Sequence, residues 1–366
     1  MIIRNGMVFQ EDKTFVPKDL YIENGKIVPT ISETSSEEII DADGMLVLPG
    51  LIDVHSHGAV GHDFSDGNME GLKKILAYEH EHGITSYCPT SMTLEKEKLR
   101  KIFTMMGTWK DEKGLSHMEG IHMEGPFLDP VKKGAHREEC ILAPDIAFFK
   151  ECNHACKGRI RLITLAPNMT GAMEFINELK SEVVISLGHT STDYDTAKQA
   201  LDAGVNHLTH LCNAMSPLEH RNPGLIGAAA ENNTCMAELI CDGIHVHQSM
   251  IRAAFKLFPG RIVLISDSLR ATGMKNGTYE LGGQEITVNN KLATLSDGTI
   301  AGSVTNLFDC MRTAVSFGIP MEEAIASATI NPAKSIGIYD KTGSLTPGKR
   351  ADVIITDKEL NLVRVI

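Results

Sequence analysis

The chain has 366 residues, 42% of them hydrophobic and 22% charged, enough apolar material for a large core and more than one compact domain usually needs. A net charge of −12 and an isoelectric point near 5.7, with no basic stripe to offset the acidic excess, argue against a nucleic-acid or anionic-membrane binder. No charged-then-apolar leader opens the sequence and no apolar run reaches ~18 residues, while eight cysteines without a C-x-x-C pair fit free thiols in a reducing cytoplasm.

In chain order, Met1 to Val47 reads as short strands with Asn5-Gly6 and Asn24-Gly25 turns, which is hairpin chemistry. From residue 46 onward, β-type runs alternate with helix-period stretches. Eight strand candidates appear: Leu46 to His55, Ile84 to Thr90, Met118 to Glu124, Ile160 to Ala166, Val183 to His189, Val205 to His210, Met236 to Asp242 and Ile262 to Asp267. Helical patterns between them include Asn68 to His82, Asp193 to Ala203 and Gln248 to Phe258; the last, Ser303 to Phe317, takes Ser303 as N-cap and Gly318 as C-cap. Eight β-then-α units predict a (β/α)8 TIM-like barrel. Cys152 and Cys156 around His154 read as a helix surface rather than a metal knuckle, and His80 and His82 as a helix end.

A further hairpin, Tyr279 to Leu295 around Asn289-Asn290, is expected over the barrel mouth, followed by a mobile loop from Gly298 to Ser303. Thr342 to Ile366 returns to hairpin character, with Pro347-Gly348 as a turn before the run Ala351 to Thr356. Neither end has a core of its own. The economical arrangement inserts the barrel (48–334) into one small β-sandwich domain formed by both ends (1–47 plus 335–366).

Barrel chemistry sits at the C-terminal ends of the strands. There this sequence places His55 and His57, which project together in H-x-H spacing, then Glu124, His189, His210 and Asp267. Taken singly, Glu124 could cap a turn and His189 could be a satisfied core histidine. All six falling at strand ends points instead to one or two divalent metal ions, since a catalytic site needs about three protein ligands and an open position.

These residues lie within His122-Met123-Glu124-Gly125-Pro126-Phe127, Gly188-His189-Thr190, Thr209-His210-Leu211-Cys212-Asn213-Ala214-Met215 and Ser266-Asp267-Ser268. In that order they resemble the amidohydrolase superfamily, and within it the N-acetylglucosamine-6-phosphate deacetylase family. The likeness runs from Leu48-Pro49-Gly50 to Gly348-Lys349-Arg350-Ala351-Asp352-Val353, motifs common to many amidohydrolases. The Glu124 segment, Lys132-Lys133-Gly134-Ala135-His136 and Asn213-Ala214-Met215 look specific to the deacetylases. Where other subgroups often bridge two ions with a carboxylated lysine, the corresponding position here looks like Glu124.

The resemblance implies that Glu124, His189 and His210 hold the primary ion, and that Glu124 also bridges to a second ion on His55 and His57. Zinc and iron are the leading choices, and ligand type does not separate them from manganese or cobalt. Asp267 would be general base and acid, and His136 would donate to the acetyl oxygen. Asn213 and Ala214, through backbone N–H groups, and Arg221 would hold a substrate phosphate. So would His245, either from the same chain or reaching in from a neighbouring subunit of a homodimer. His207, His220 and His247 are left as non-ligands. The implied activity is removal of acetate from N-acetylglucosamine 6-phosphate by a cytoplasmic enzyme with no nucleic-acid or membrane partner. An amidohydrolase of an unphosphorylated N-acetyl sugar or a cyclic amide is the rival, and it would have no use for Arg221 and Asn213-Ala214. A non-catalytic relative would have lost ligands, and none is missing.

Overall fold

The computed structural model describes residues 1–31 and 38–366. Eight strands alternate with helices: β1 (Leu51–Ser56), α1 (Met69–Glu81), β2 (Ile84–Ser91), α2 (Lys96–Met106), β3 (Ile121–Glu124), α3 (Ile146–Ala155), β4 (Ile160–Leu165) and α4 (Ala172–Leu179). The second half is β5 (Val184–Leu187), α5 (Tyr194–Asp202), β6 (His207–Leu208), α6 (Gly224–Glu231), β7 (Met236–Ile240), α7 (Gln248–Leu257), β8 (Ile262–Ile265) and α8 (Leu307–Ser316). Each strand pairs in parallel with the next. The ring closes where Asp267 N–H donates to the His55 carbonyl at 2.9 Å. This is a (β/α)8 barrel. Among the described residues no helix is long and apolar enough to cross a membrane.

The two ends of the chain form two sheets outside the barrel. Ile2–Arg4, Leu20–Glu23, Lys26–Val28 and Ile39–Asp41 form one; Met7–Phe9, Phe15–Pro17, Leu46–Pro49, Val353–Thr356 and Leu362–Val365 form the other. Ile3, Val8, Leu20, Ile27, Val47, Val353 and Ile355, drawn from both sheets, make a single buried cluster, so the pair is a small sandwich.

The expected first strand, Leu46 to His55, is two strands in two sheets. Gly50 is the switch: its N–H donates to Asp352 of the sandwich, and the next N–H, of Leu51, donates to Gly83 beside the barrel. The close approach demands glycine, because a Cβ there would lie 2.1 Å from Thr85 Oγ1. Gly50→Ala is therefore expected to destabilise the protein by about 1–3 kcal/mol, seen as a lower denaturant midpoint; an unchanged midpoint would mean that Thr85 can turn aside.

Four other expectations change. Ser303 does not cap α8. Asn306 does, accepting from Asp309 N–H, while the Ser303 hydroxyl donates to the Ser266 carbonyl and its N–H to the Asp267 carbonyl. Residues 298–303 are consequently pinned rather than loose, with Ala301 N–H also bonded to Ala293. The mouth hairpin is a three-stranded meander, Gly277–Leu281, Gln284–Asn289 and Leu292–Thr294, which turns at Gly282-Gly283 as well as Asn290-Lys291. Finally, Cys152 and Cys156 face the core from α3, leaving only His154 at the surface.

Candidate metal centre and catalytic cavity

The interior of the barrel is polar. A buried chain of hydrogen bonds runs from His122 Nε2 to Thr164, Thr209, Ser186 and His207 Nδ1, filling the space beneath the strand ends with linked polar side chains. Above it, the ends of β1, β3, β5, β6 and β8 deliver His55, His57, Glu124, His189, His210 and Asp267, all buried. His189, His210 and Asp267 each adopt left-handed φ (46°, 25° and 48°), which non-glycine residues tolerate only where the surroundings hold them.

Glu124 is the hub. Its Oε1 lies 3.2 Å from His189 Nε2 and 3.1 Å from His210 Nε2, and those two nitrogens are 3.0 Å apart. Three donor atoms at the corners of a near-equilateral triangle match one face of a tetrahedron, whose edge is about 3.3 Å when ligand bonds are about 2.0 Å. His189 Nδ1–H donates to the Lys132 carbonyl at 2.8 Å, so its Nε2 presents a lone pair. The segment that supplies this carbonyl passes close over the ring: at Gly134 (φ 57°), a Cβ would meet His189 Cε1 at 3.2 Å. Burial outweighs the pull of Glu124 and lowers the His189 pKa to about 4, so the ring is neutral without any ion to displace its proton.

The other side of Glu124 faces the H-x-H pair. His57 Nε2 is 3.3 Å from Glu124 Oε2 and 3.2 Å from Asp267 Oδ1; His55 Nε2 is 3.4 Å from Glu124 Oε1 and 3.5 Å from Asp267 Oδ1. His57 Nδ1–H is held by the Thr90 carbonyl. His55 Nε2 is a buried polar atom with no hydrogen-bond partner among the described residues, aimed between two carboxylates. The electrostatics favour cations. Burial opposes charge on His57, yet Asp267 and Glu124 raise its pKa to about 10. Burial pushes the Asp267 carboxyl up, but the neighbouring His55 and His57 outweigh it and hold the acid below its ordinary range. An orphaned imidazole, a lone-pair triangle and two carboxylates together fit one or two divalent ions.

His136 belongs to the site but not to the ligand set. Its Nδ1 accepts from the Thr93 backbone N–H at 3.2 Å, so Nε2, 3.2 Å from Glu124 Oε2, carries the ring proton and is a donor. A cavity of about 260 Å³ opens above these residues, walled by Asn213, Ala214, His245, Leu281, Ile300 and Ala301 among others.

Three sequence-derived placements need qualification. His245 lines this cavity from within the same chain, so it does not depend on a neighbour; both ring nitrogens are already engaged, by Asp242 at 2.7 Å and the Ala301 carbonyl at 2.8 Å. Burial alone would lower its pKa, but Asp242 raises it, and with an acceptor oxygen at each ring nitrogen the surroundings favour the protonated ring. The Asn213 N–H is spent on the His210 carbonyl, leaving only the Ala214 N–H of the expected pair. Arg221 is exposed and outside the cavity wall. His207 is buried on Ser186, and His220 and His247 are exposed.

Sequence reasoning missed Glu238, fully buried in β7 and bonded to His55. A glutamate inside an apolar strand was the available signal, because buried glutamates need partners. The carbonyls of Thr90 and Lys132, which orient two of the candidate ligands, are backbone atoms and leave no signal of their own.

An amidohydrolase-family model matches residues 46–365. The N-acetylglucosamine-6-phosphate deacetylase of Bacillus subtilis is 38% identical, over all of this chain and 95% of its own length. The N-acetylgalactosamine-6-phosphate deacetylase of Escherichia coli O157:H7 is 31% identical over 100% and 97%. A Mycobacterium smegmatis N-acetyl-D-glucosamine-6-phosphate deacetylase mutant, solved with N-acetyl-D-glucosamine-6-phosphate, superposes with a TM-score of 0.93 at 30% identity, covering 100% of this chain and 97% of its own. The chain belongs to the amidohydrolase family, in the branch of the N-acetylglucosamine-6-phosphate deacetylases.

Proposed function

We propose that this chain is a metal-dependent amide hydrolase that removes acetate from N-acetylglucosamine 6-phosphate, leaving glucosamine 6-phosphate. The observation that carries it is the convergence of the Glu124, His189 and His210 triangle with Asp267 and a donor-form His136 in one cavity. Glu124, His189 and His210 would hold one ion, and His55 and His57, bridged by Glu124, a second; zinc or iron suits these donors. When bound, such an ion lowers the pKa of water and polarises an amide carbonyl.

The chain's own residues supply the rest. Asp267, ionised beside His57, takes the proton of the attacking water and returns it to the departing sugar nitrogen, which leaves poorly unless protonated. His136 Nε2–H donates to the acetyl oxygen as charge develops there. At the far wall the His245 charge and the Ala214 N–H favour an anion. The cavity, at about 260 Å³ just below the roughly 300–1,000 Å³ of ligand sites, suits a single small ligand such as one phosphorylated sugar. Arg221 completes the phosphate grip only if residues 216–222 move or a second copy of the chain covers the mouth. The reading includes a cytoplasmic homodimer, which light scattering across protein concentrations tests.

Acetate release is to be followed from N-acetylglucosamine 6-phosphate and from unphosphorylated N-acetylglucosamine, with protein stripped of metal and then given zinc. Zinc-dependent turnover strongly favouring the phosphorylated sugar is expected; turnover indifferent to phosphate would sink the substrate assignment. The E. coli relative makes the galactosamine epimer the second reading. A higher kcat/KM on N-acetylgalactosamine 6-phosphate would establish it.

A further inference from the structure

Glu238, the middle residue of β7, is fully buried within the barrel. One of its oxygens, Oε2, accepts from His55 Nδ1 at 2.9 Å and from the His210 backbone N–H at 3.1 Å. The other, Oε1, has no hydrogen-bond partner among the described residues, and His207 Nδ1, 3.8 Å away, bonds to Ser186 instead. A carboxylate buried with one oxygen idle is costly. Its working oxygen reaches two residues that the reading above assigns to different ions.

The two contacts differ in what they control. His210 is also located by the Asn213 N–H on its carbonyl and by the pairing of β6 just before it. Among the described residues His55 Nδ1 has Glu238 alone. The Nδ1–H form leaves a lone pair on Nε2, pointed between Glu124 and Asp267. The opposite tautomer would put an N–H there, directed at the same carboxylates, and no ion could use it. His57 and His189 are oriented by neutral backbone carbonyls, whereas His55 is oriented by a charge, which strengthens the imidazole as a donor. His122 stands edge-on to the His55 ring with centroids 4.4 Å apart, so the ring plane is held from the side as well.

We propose that Glu238 is a positioning residue: by holding His55 in the Nδ1–H form it keeps Nε2 open for the second ion. The inference rests on the two-ion reading above. Hence Glu238, His55 and His122, although close enough together to suggest a separate metal cluster, are support for the catalytic centre and not another site.

The test compares wild type, E238L and E238Q dialysed against graded zinc, with ions per chain counted by mass spectrometry and the His55 ring followed by ¹⁵N NMR. E238L is expected to weaken the second ion by about 10- to 100-fold while keeping the first, and E238Q, whose amide oxygen can stand where Oε2 stands, to restore most of it. Retention of both ions by E238L, or their loss in parallel, would overturn the proposal. A wild type that never takes more than one ion would sink the two-ion reading instead. In that event, or if E238L does not fold, the wild-type His55 ring decides, titrated until it holds a single proton: that proton on Nδ1 upholds the positioning role, and on Nε2 refutes it.

Discussion

Asp267→Asn is expected to lower turnover by about 10²- to 10⁴-fold, the range spanned by general acid–base catalysis, while the ion on Glu124, His189 and His210 stays in place. Those three donors form their triangle without Asp267. The exchange is close to isosteric, and asparagine tolerates the left-handed φ of 48° that this position imposes, so the backbone should not move. An amide, however, cannot take a proton from water and hand it to a leaving nitrogen. Metal content and kcat on the same preparation settle the matter. If zinc is lost in proportion to activity, Asp267 is chiefly a ligand, and the proton carrier has to be sought elsewhere.

Glu124→Gln should be the more damaging change, and by a different route. Both carboxylate oxygens face imidazole: Oε1 toward His55, His189 and His210, and Oε2 toward His57 and His136. An NH₂ group on either side sets a donor where an ion needs a lone pair. Ion affinity is expected to fall by more than about 10²-fold, beyond what loss of an outer hydrogen bond causes, with turnover falling alongside. Elemental analysis beside a thermal melt checks it. Full metal content with no turnover would remove Glu124 from the ligand set and make it a base.

How legible was this molecule in its residues? The barrel was readable because its strands are apolar runs ending in chemically distinctive residues, and the ring of eight appears with all six candidate ligands gathered at one end. What local reading misplaced were choices made by tertiary contacts. Leu46 to His55 looks like one strand because nothing between adjacent apolar residues reveals a change of sheet; only the crowding at Gly50 by Thr85, thirty-five positions away, explains it. Ser303 and Asn306 are both good caps, and Ser303 lost because the carbonyl of Ser266 claimed its hydroxyl. The tautomer of His136 hangs on a backbone N–H of Thr93, in another loop. Spacing leaves open which subunit's His245 lines a given cavity; its wall position follows from how residues 242–246 and Ala301 meet, a matter of packing that spacing does not encode.

Leu46–Pro49 pairs antiparallel with Val353–Thr356, residues made some three hundred positions later. During synthesis, therefore, the strand that leads through Gly50 into β1 must wait with one edge open while the whole barrel emerges. Its other edge is already covered by Met7–Phe9. An open apolar edge held that long is where a nascent chain could join a neighbour on the same message. At ribosomal rates of about 5–20 residues per second, the exposure lasts on the order of tens of seconds, so crowding of ribosomes would tax yield more than the stability of the finished protein would suggest.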